Sequence, residues 1–514
     1  MSPSPHAPAR PAAPPVISSP AGHPPGHTGN PARDLVASPN VRIFLFLLAH
    51  VPLAALASAS PWAATAHAAL AVLYGLRAAL LKRPHQVAYA VTYIAASEVL
   101  WRMAQAHLLW EFAKYAIVLI IFVALVVEWG RDAGERRLRT VWPMLLLLAL
   151  MPGAVLTILE VGLGEARDPL SFNLSGHLAL IMLALYLWAR SMDRDVAVRV
   201  LLALMAPILT ITFVAVYTTL TELNLLAFQG ESNWITSGGY GPNQVSNMLG
   251  LGALAGVILF TLMPRRGGPR LTIMVITLLM LGQALLTFSR GGVYSFGVGL
   301  AFFGFHLMRS RGGRRRFLVL FVLFAALLSA IVFPSLDNFT GGTLAERFQD
   351  TDTTGRLEAA QADMRAFLDN PLVGVGVGQA VDYHREVLGM SVAAHTELTR
   401  LLAEHGLFGL LAIAIMAVML ISRYLGNRPG LSRATTAALA VWSMSITLHT
   451  AMRVVAVPLA FGLALVAWRL DAGADQPEDT SVGVEPHVYP PEATRARVDR
   501  PIHPTPVNKE ANRR

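Results

Sequence analysis

The sequence predicts an all-α, polytopic transmembrane helical bundle, and three observations carry that prediction. Of the 514 residues, 54% are hydrophobic and only 14% are charged. The mean hydropathy is positive, and the apolar residues arrive in long blocks instead of amphipathic alternation. Each block is long enough to cross a hydrocarbon core of about 30 Å as a helix. No separate soluble domain of ordinary size is left between them.

Residues 1–40 are dominated by Pro, Ala, Ser, Gly and His. Such a composition cannot bury a core, so the segment reads as a disordered tail and not as a cleavable signal peptide. Spanning helices are expected near 43–59, 62–81, 87–105, 112–129, 141–162, 173–190, 198–220, 242–263, 271–288, 291–308, 317–334, 406–422, 434–449 and 454–470, about 12–14 in all. The third is interrupted by Glu98 and Arg102. The division that follows is a tail over 1–40, transmembrane helices over 41–334, an outer loop over 335–405, C-terminal transmembrane helices over 406–470, and a second disordered tail, Pro-rich and charged, over 471–514.

Basic residues orient this bundle. With the N-terminus in the cytoplasm, the short loops carrying Lys82 and Arg83, Arg136 to Arg139, Arg190 to Arg199, Arg265 to Arg270, Arg309 to Arg316 and Arg423 to Arg433 all fall on one side. The positive-inside rule demands that arrangement, and it makes both termini cytoplasmic. The net charge of +9 is therefore spread over short loops and forms no face for a nucleic-acid partner. Cysteine is absent, which excludes disulfides and thiolate metal sites.

The opposite, outer side holds two longer segments, 221–241 and about 335–405, and Arg290 emerges there too. Long polar insertions on one face of a helical bundle usually carry function. SGGYGPNQ (237–244) is a turn followed by a helix start, with Pro242 suited to the first turn and Asn243 capping or lining its entrance. TFSRGG (287–292) is either a bend whose Arg290 snorkels to headgroups or part of a binding site. GVGVGQ (374–379) lacks the strand, helix and Lys-Ser/Thr context of a nucleotide loop. In 356–369, Leu357, Ala360, Met364 and Leu368 recur at helical spacing, as expected of an interfacial helix lying on the bundle. If 393–405 is helical, His395 shares a face with Leu398 and Leu402 and points inward, while Glu397, Arg400 and Glu404 pair along another face.

Arg290, Arg347, Arg356 and Arg385 thus sit on one side with an inward histidine, and no carboxylate cluster of metal-ligand spacing accompanies them. Guanidiniums gathered in a low-dielectric cavity need an anion, and phosphate matches their fork geometry. A histidine beside them can take a proton from an attacking hydroxyl near neutral pH. The physical reading is an outward cavity that binds a lipid-linked phosphate or diphosphate and transfers what is attached to it.

Four ordered pieces, GPNQ, TFSRGG, TGRLEAAQADMRAFLDNPLVGVGVGQ and AHTELTRLLAEHGLFGL, make the stretch from about 235 to 425 resemble the O-antigen ligase and O-antigen polymerase superfamily of bacterial inner-membrane glycosyltransferases. The resemblance implies a multi-helix architecture of the lipid-dependent glycosyltransferase kind and a periplasmic loop bearing the catalytic residues. It also implies an undecaprenyl diphosphate-linked glycan as donor, no nucleotide sugar, no metal or other cofactor, and inversion at the anomeric carbon. It makes His395 the base, and Arg290 and Arg356 the diphosphate ligands; Asn243, Ser289, Arg347, Arg385 and Glu397 are supporting candidates. The acceptor is left open among lipid A–core, a growing surface polysaccharide and protein. Many ligases carry a further arginine before the S-R-G motif; 221–241 has none, and Arg167 in an earlier outer loop has no match.

A flippase or transporter of lipid-linked sugar is the competing class. It would place ionisable residues deep in several helices, often in two repeated halves. Glu98, Arg102 and Glu160 do not line up in that way.

Overall fold

The structure is a computed structural model that describes residues 39–129, 133–228, 230–264, 268–309, 311–350, 355–389 and 396–471. The tail expected over 1–40 lies almost wholly outside these residues. So does the second tail, expected over 471–514, apart from Asp471.

The described chain is helical almost throughout. In order it forms α1 (Pro39–Leu48), α2 (His50–Ala59), α3 (Pro61–Leu80), α4 (Pro84–Met103), α5 (Phe112–Val127), α6 (Ala133–Leu187), α7 (Arg194–Thr221), α8 (Pro242–Leu262), α9 (Gly268–Leu286), α10 (Arg290–Met308), α11 (Arg311–Leu327), α12 (Phe333–Phe339), α13 (Thr343–Gln349), α14 (Arg356–Asp369), α15 (Val381–Leu388), α16 (Glu397–Gly426), α17 (Leu431–Thr447) and α18 (Ala456–Ala464). Two three-residue strands, β1 (Ser191–Asp193) and β2 (Ala467–Arg469), pair in parallel. Local chemistry explains several starts. Proline opens α3, α4 and α8, where its missing N–H has no intrahelical partner to lose. The Asp193 carboxylate accepts the Val196 N–H at 2.9 Å and caps α7.

Eight helices among the described residues are long and apolar enough to cross a membrane, or nine if the bent pair over Phe324–Phe339 and Thr343–Gln349 is one span. That is fewer than the 12–14 expected, although helix forms in every expected region. The expected spans 141–162 and 173–190 fall on either side of the Gly162 kink (φ 81°) in α6, whose 48-residue apolar stretch Thr140–Leu187 counts once in that total. Glu98 and Arg102 sit within α4, while α5, α17 and α18 have only 16, 17 and 9 residues. Helices α7 and α8 are central, with 83% of their apolar windows buried, whereas the first span, Asn40–Ala59, is peripheral at 22%. Exposed Leu56, Trp62, Leu70, Phe122, Leu159 and Phe302 belong to the outward apolar surface that a bilayer requires.

Two close backbone contacts join the elements that carry the candidate residues. Helices α8 and α10 meet at backbone distance: a Cβ on Gly292 would lie 2.1 Å from the Ser246 carbonyl oxygen, and one on Gly250 would lie 2.4 Å from that of Gly292. Helix α16 breaks at Gly406 (φ 59°, ψ −135°). The backbone groups released by that break find partners in the preceding loop: Val375 N–H donates to Ala403 O, Gly376 N–H to Glu404 O, and Leu407 N–H to Pro371 O. The GVGVGQ glycines therefore let one backbone lie against another, and any side chain at Gly374 would meet Glu404 and His405 within 2.5 Å.

Candidate active site

The TFSRGG turn is built on a strained residue. Phe288 has φ 55°, unusual for a side-chain-bearing residue. It is held there by its ring, which stacks on Phe228 with centroids 5.1 Å apart and packs with Leu285 and Leu344. The Phe288 carbonyl accepts from Arg347 Nε at 3.2 Å. Next along, the Ser289 hydroxyl donates to Asn243 Oδ1 at 2.6 Å and the Ser289 carbonyl accepts from Ser246 Oγ at 2.8 Å. Asn243 and Ser289 thus tie the starts of α8 and α10 together.

Arg290 is the first residue of α10, and Arg356 the first of α14. Both helix starts carry unpaired backbone N–H groups and the positive end of the helix dipole. Arg347, on α13, is 8% exposed and lies 3.2 Å from Asp350 Oδ2; Arg290 lies 3.7 Å from the same oxygen and also donates to the Asp350 carbonyl. Arg356 makes no ion pair among the described residues. Burial above all, and then the charges of Arg290 and Arg347, push its guanidinium below the ordinary arginine range. Two guanidiniums, Arg290 and Arg347, therefore share the Asp350 carboxylate, and the charge of a third, Arg356, is close enough to interact with both. Arg385 is exposed on α15, next to the Arg365–Glu386 pair, which spans 3.1 Å.

His395 lies outside the described residues, but the chain immediately after it is firmly held. Thr396 and Thr399 are joined through their hydroxyls, and Thr399 donates to Asp363 Oδ2 at 2.6 Å. Asp363 is fully buried and its other oxygen meets His384 Nε2 at 2.7 Å, so α14, α15 and α16 converge on one carboxylate. Glu397 is also fully buried: it pairs with Arg400, lies 3.1 Å from His177 Nε2, and accepts the Met452 N–H at 2.7 Å. Arg400 in turn donates to Asn173 Oδ1, and Glu404 accepts the Gly378 N–H at 2.9 Å.

The faces of α14 and α16 are therefore turned from the sequence reading. On α16 the charged residues Glu397, Arg400 and Glu404 are buried, while Leu398 and Leu402 are only half-buried. The reason is that each charge finds a partner on α6, α14 or a neighbouring loop. On α14 the buried face is Ala359, Ala362, Asp363 and Ala366; Leu357, Met364 and Leu368 face outward. Small residues let α14 approach α16 closely, and the leucine stripe is left on the exposed surface.

Glu98 and Arg102, which interrupt the third predicted span, are structural clamps at this same end. They pair at 2.7 Å, and Glu98 Oε2 accepts the Val455 N–H. Arg102 donates to the Arg453 and Trp110 carbonyls at 3.0 and 2.9 Å and stacks over the Trp110 ring. Together with Glu397 they fix the segment 448–455. Removing one partner of such a buried pair leaves the other charge uncompensated, so Glu98→Ala is expected to cost about 3–5 kcal/mol of stability. Thermal unfolding of the purified protein in detergent checks this; an unchanged midpoint would contradict the clamp.

Residues absent from the sequence reading also belong here. Asp350, one of two acids in the stretch DTDTTG (350–355), gave no signal of its own. His177 sits mid-chain in α6 and becomes relevant only through its contact with Glu397. It also lines a mostly apolar cavity of about 700 Å3 with Trp110, Tyr115, Leu150 and Leu174. Among the described residues, no group of three or more His, Asp and Glu side chains could hold a metal ion.

Residues 275–414 match the family described as O-antigen ligase. That stretch contains the whole TFSRGG turn, the three clustered arginines and the position of His395. No curated protein matches the chain.

Proposed function

We propose, for a chain that carries an O-antigen ligase domain, that it transfers a glycan from an undecaprenyl diphosphate carrier to an acceptor hydroxyl at the periplasmic face of the inner membrane. The observation that carries this reading is the partly buried gathering of Arg290, Arg347 and Arg356, the first two paired with Asp350 and the third without an ion pair among the described residues. A diphosphate matches the forked donors of such a cluster, and the N-terminal N–H groups of α10 and α14 add further donors to an anion.

In this reading Arg290 and Arg356 hold the diphosphate, and Arg347 keeps Asp350 and the turn in place. His395 takes the proton from the acceptor hydroxyl. The oxygen attacks the anomeric carbon from the face opposite the diphosphate, the C–O bond breaks, and its electron pair leaves on the diphosphate oxygen. Direct displacement of this kind inverts the anomeric configuration, and it uses no metal. Thr396, Glu397 and Asp363 hold the chain next to His395 so that the imidazole has a fixed base to act from. The apolar cavity beside His177 supports an amphiphilic acceptor such as a lipid-anchored glycan. Extension of surface polysaccharide, by a polymerase, is the second reading supported by the same domain.

Disruption of the gene in its host tests the proposal through the pool of lipid-linked oligosaccharide and the surface polysaccharide. A ligase predicts long carrier-linked polymer that is not attached to its acceptor; a polymerase predicts single repeat units on the carrier. No change in either pool would overturn the donor assignment.

A further inference from the structure

The two glycines of TFSRGG serve different neighbours. Gly292 lies against the Ser246 carbonyl of α8, as described above. Gly291 lies under an imidazole: a Cβ there would stand 2.8 Å from His449 Nε2 and 2.9 Å from its Cε1. One turn further along α10, Ser295 Oγ is 3.4 Å from the same Nε2. The Nε2 edge of His449 is therefore seated on the first turn of α10, beside Arg290.

The other ring nitrogen has no such partner. His449 Nδ1 is buried and makes no hydrogen bond among the described residues. A buried polar atom without a partner calls for one. Ser295 Oγ and Nε2 can share a hydrogen in either direction; in the tautomer in which the serine donates, the hydrogen of a neutral ring resides on Nδ1. Arg356 lies near enough for its charge to reach this imidazole. That tautomer offers an N–H donor beside the first turn of α10, where Arg290 shares Asp350 with Arg347.

The position is enforced from below. His449 follows the last turn of α17, and the backbone just beyond it is fastened at Met452 by Glu397 and at Val455 by Glu98. The segment that carries His449 is thus tied both to the residue two places after His395 and to the Glu98–Arg102 clamp.

We propose that His449 is a further donor-binding residue, whose Nδ1–H bonds to an oxygen of the lipid-linked diphosphate alongside Arg356. The inference rests on the diphosphate reading of the arginine cluster. When the anomeric C–O bond breaks, negative charge grows on the departing diphosphate and this hydrogen bond strengthens. No proton is transferred at His449; the acceptor's proton goes to His395.

The test uses the full-length protein in lipid nanodiscs, with undecaprenyl diphosphate as the binding probe and an undecaprenyl diphosphate-linked oligosaccharide for turnover. His449→Ala is expected to lower kcat about 100-fold, the scale of losing one donor to a developing anion, and to weaken binding of the probe. His449→Asn places an amide N–H near the Nδ1 position and is expected to recover at least about tenfold of that loss; His449→Gln, with its amide further out, is not. Gly291→Ala displaces the ring without changing its chemistry, so it is expected to mimic His449→Ala, with the double variant no worse than either alone. Activity of His449→Ala within threefold of wild type, or equal loss in the Ala and Asn variants, would overturn the proposal. The Arg290→Ala/Arg356→Ala variant separates the two readings. If it still binds the probe, the diphosphate site itself is wrong; if it loses the probe while the His449 variants behave as wild type, only the role of His449 falls.

Discussion

Replacement of His395 by alanine is expected to lower glycan transfer by about 10²–10⁴-fold, the range a positioned general base contributes, while the protein still inserts and still binds the lipid-linked donor. The separation of the two effects follows from the architecture. The donor is held by Arg290 and Arg356, which belong to α10 and α14, and the base belongs to the chain leading into α16. The start of α16 is anchored independently, by Glu397 on Met452 and by Thr399 on Asp363, so losing the imidazole leaves those anchors intact. Single-turnover assays with carrier-linked oligosaccharide, run beside a donor-binding measurement, check the result. Loss of binding together with loss of turnover would make His395 a donor ligand instead of a base.

Arg290→Ala is expected to have the next largest effect, a loss at the transition state of about 3–4 kcal/mol, with weaker donor binding. Arg290 begins α10 in the turn fixed by Phe288, Ser289 and Asn243, and it shares Asp350 with Arg347. Its removal leaves Arg356 as the remaining cation at a helix start in the cluster. Arg290→Lys keeps the charge but not the forked, planar pair of donors, and it is expected to recover binding more fully than turnover. An activity loss within twofold for Arg290→Ala would remove this residue from the mechanism. Comparison of KM and kcat for the donor across these variants makes the distinction.

Much of this arrangement was legible in the sequence because its signals were local. Hydropathy blocks gave the helical class, and helix formed in every region where a span was expected. The span count was less legible, because helices such as α17 and α18 are shorter than the apolar blocks that contain them. GPNQ and TFSRGG were readable as helix starts, and the joining of Asn243 to Ser289 follows from the two starts being neighbours. The orientation of α14 and α16 was not readable. Sequence periodicity places leucines inward by default, and only long-range partners, namely His177, Asn173, His384 and the Met452 N–H, explain why Glu397, Arg400 and Asp363 are the buried residues. The same holds for Glu98 and Arg102. They resembled membrane-embedded functional charges and instead fasten the segment 448–455, which is evidence for a fixed scaffold at the loop-rich end. His449 gave no signal of its own, since a single histidine at the end of a helix is ambiguous until Gly291 is placed beneath it.

The most direct measurement is the binding of undecaprenyl diphosphate to the purified protein in nanodiscs, compared between wild type and Arg290→Ala/Arg356→Ala. The arginine cluster predicts saturable binding that weakens with added salt and is lost in the double variant, with the fold preserved by thermal unfolding. Equal binding by both proteins would contradict the central claim, because the positive charge gathered around Asp350 would then have no part in holding the donor.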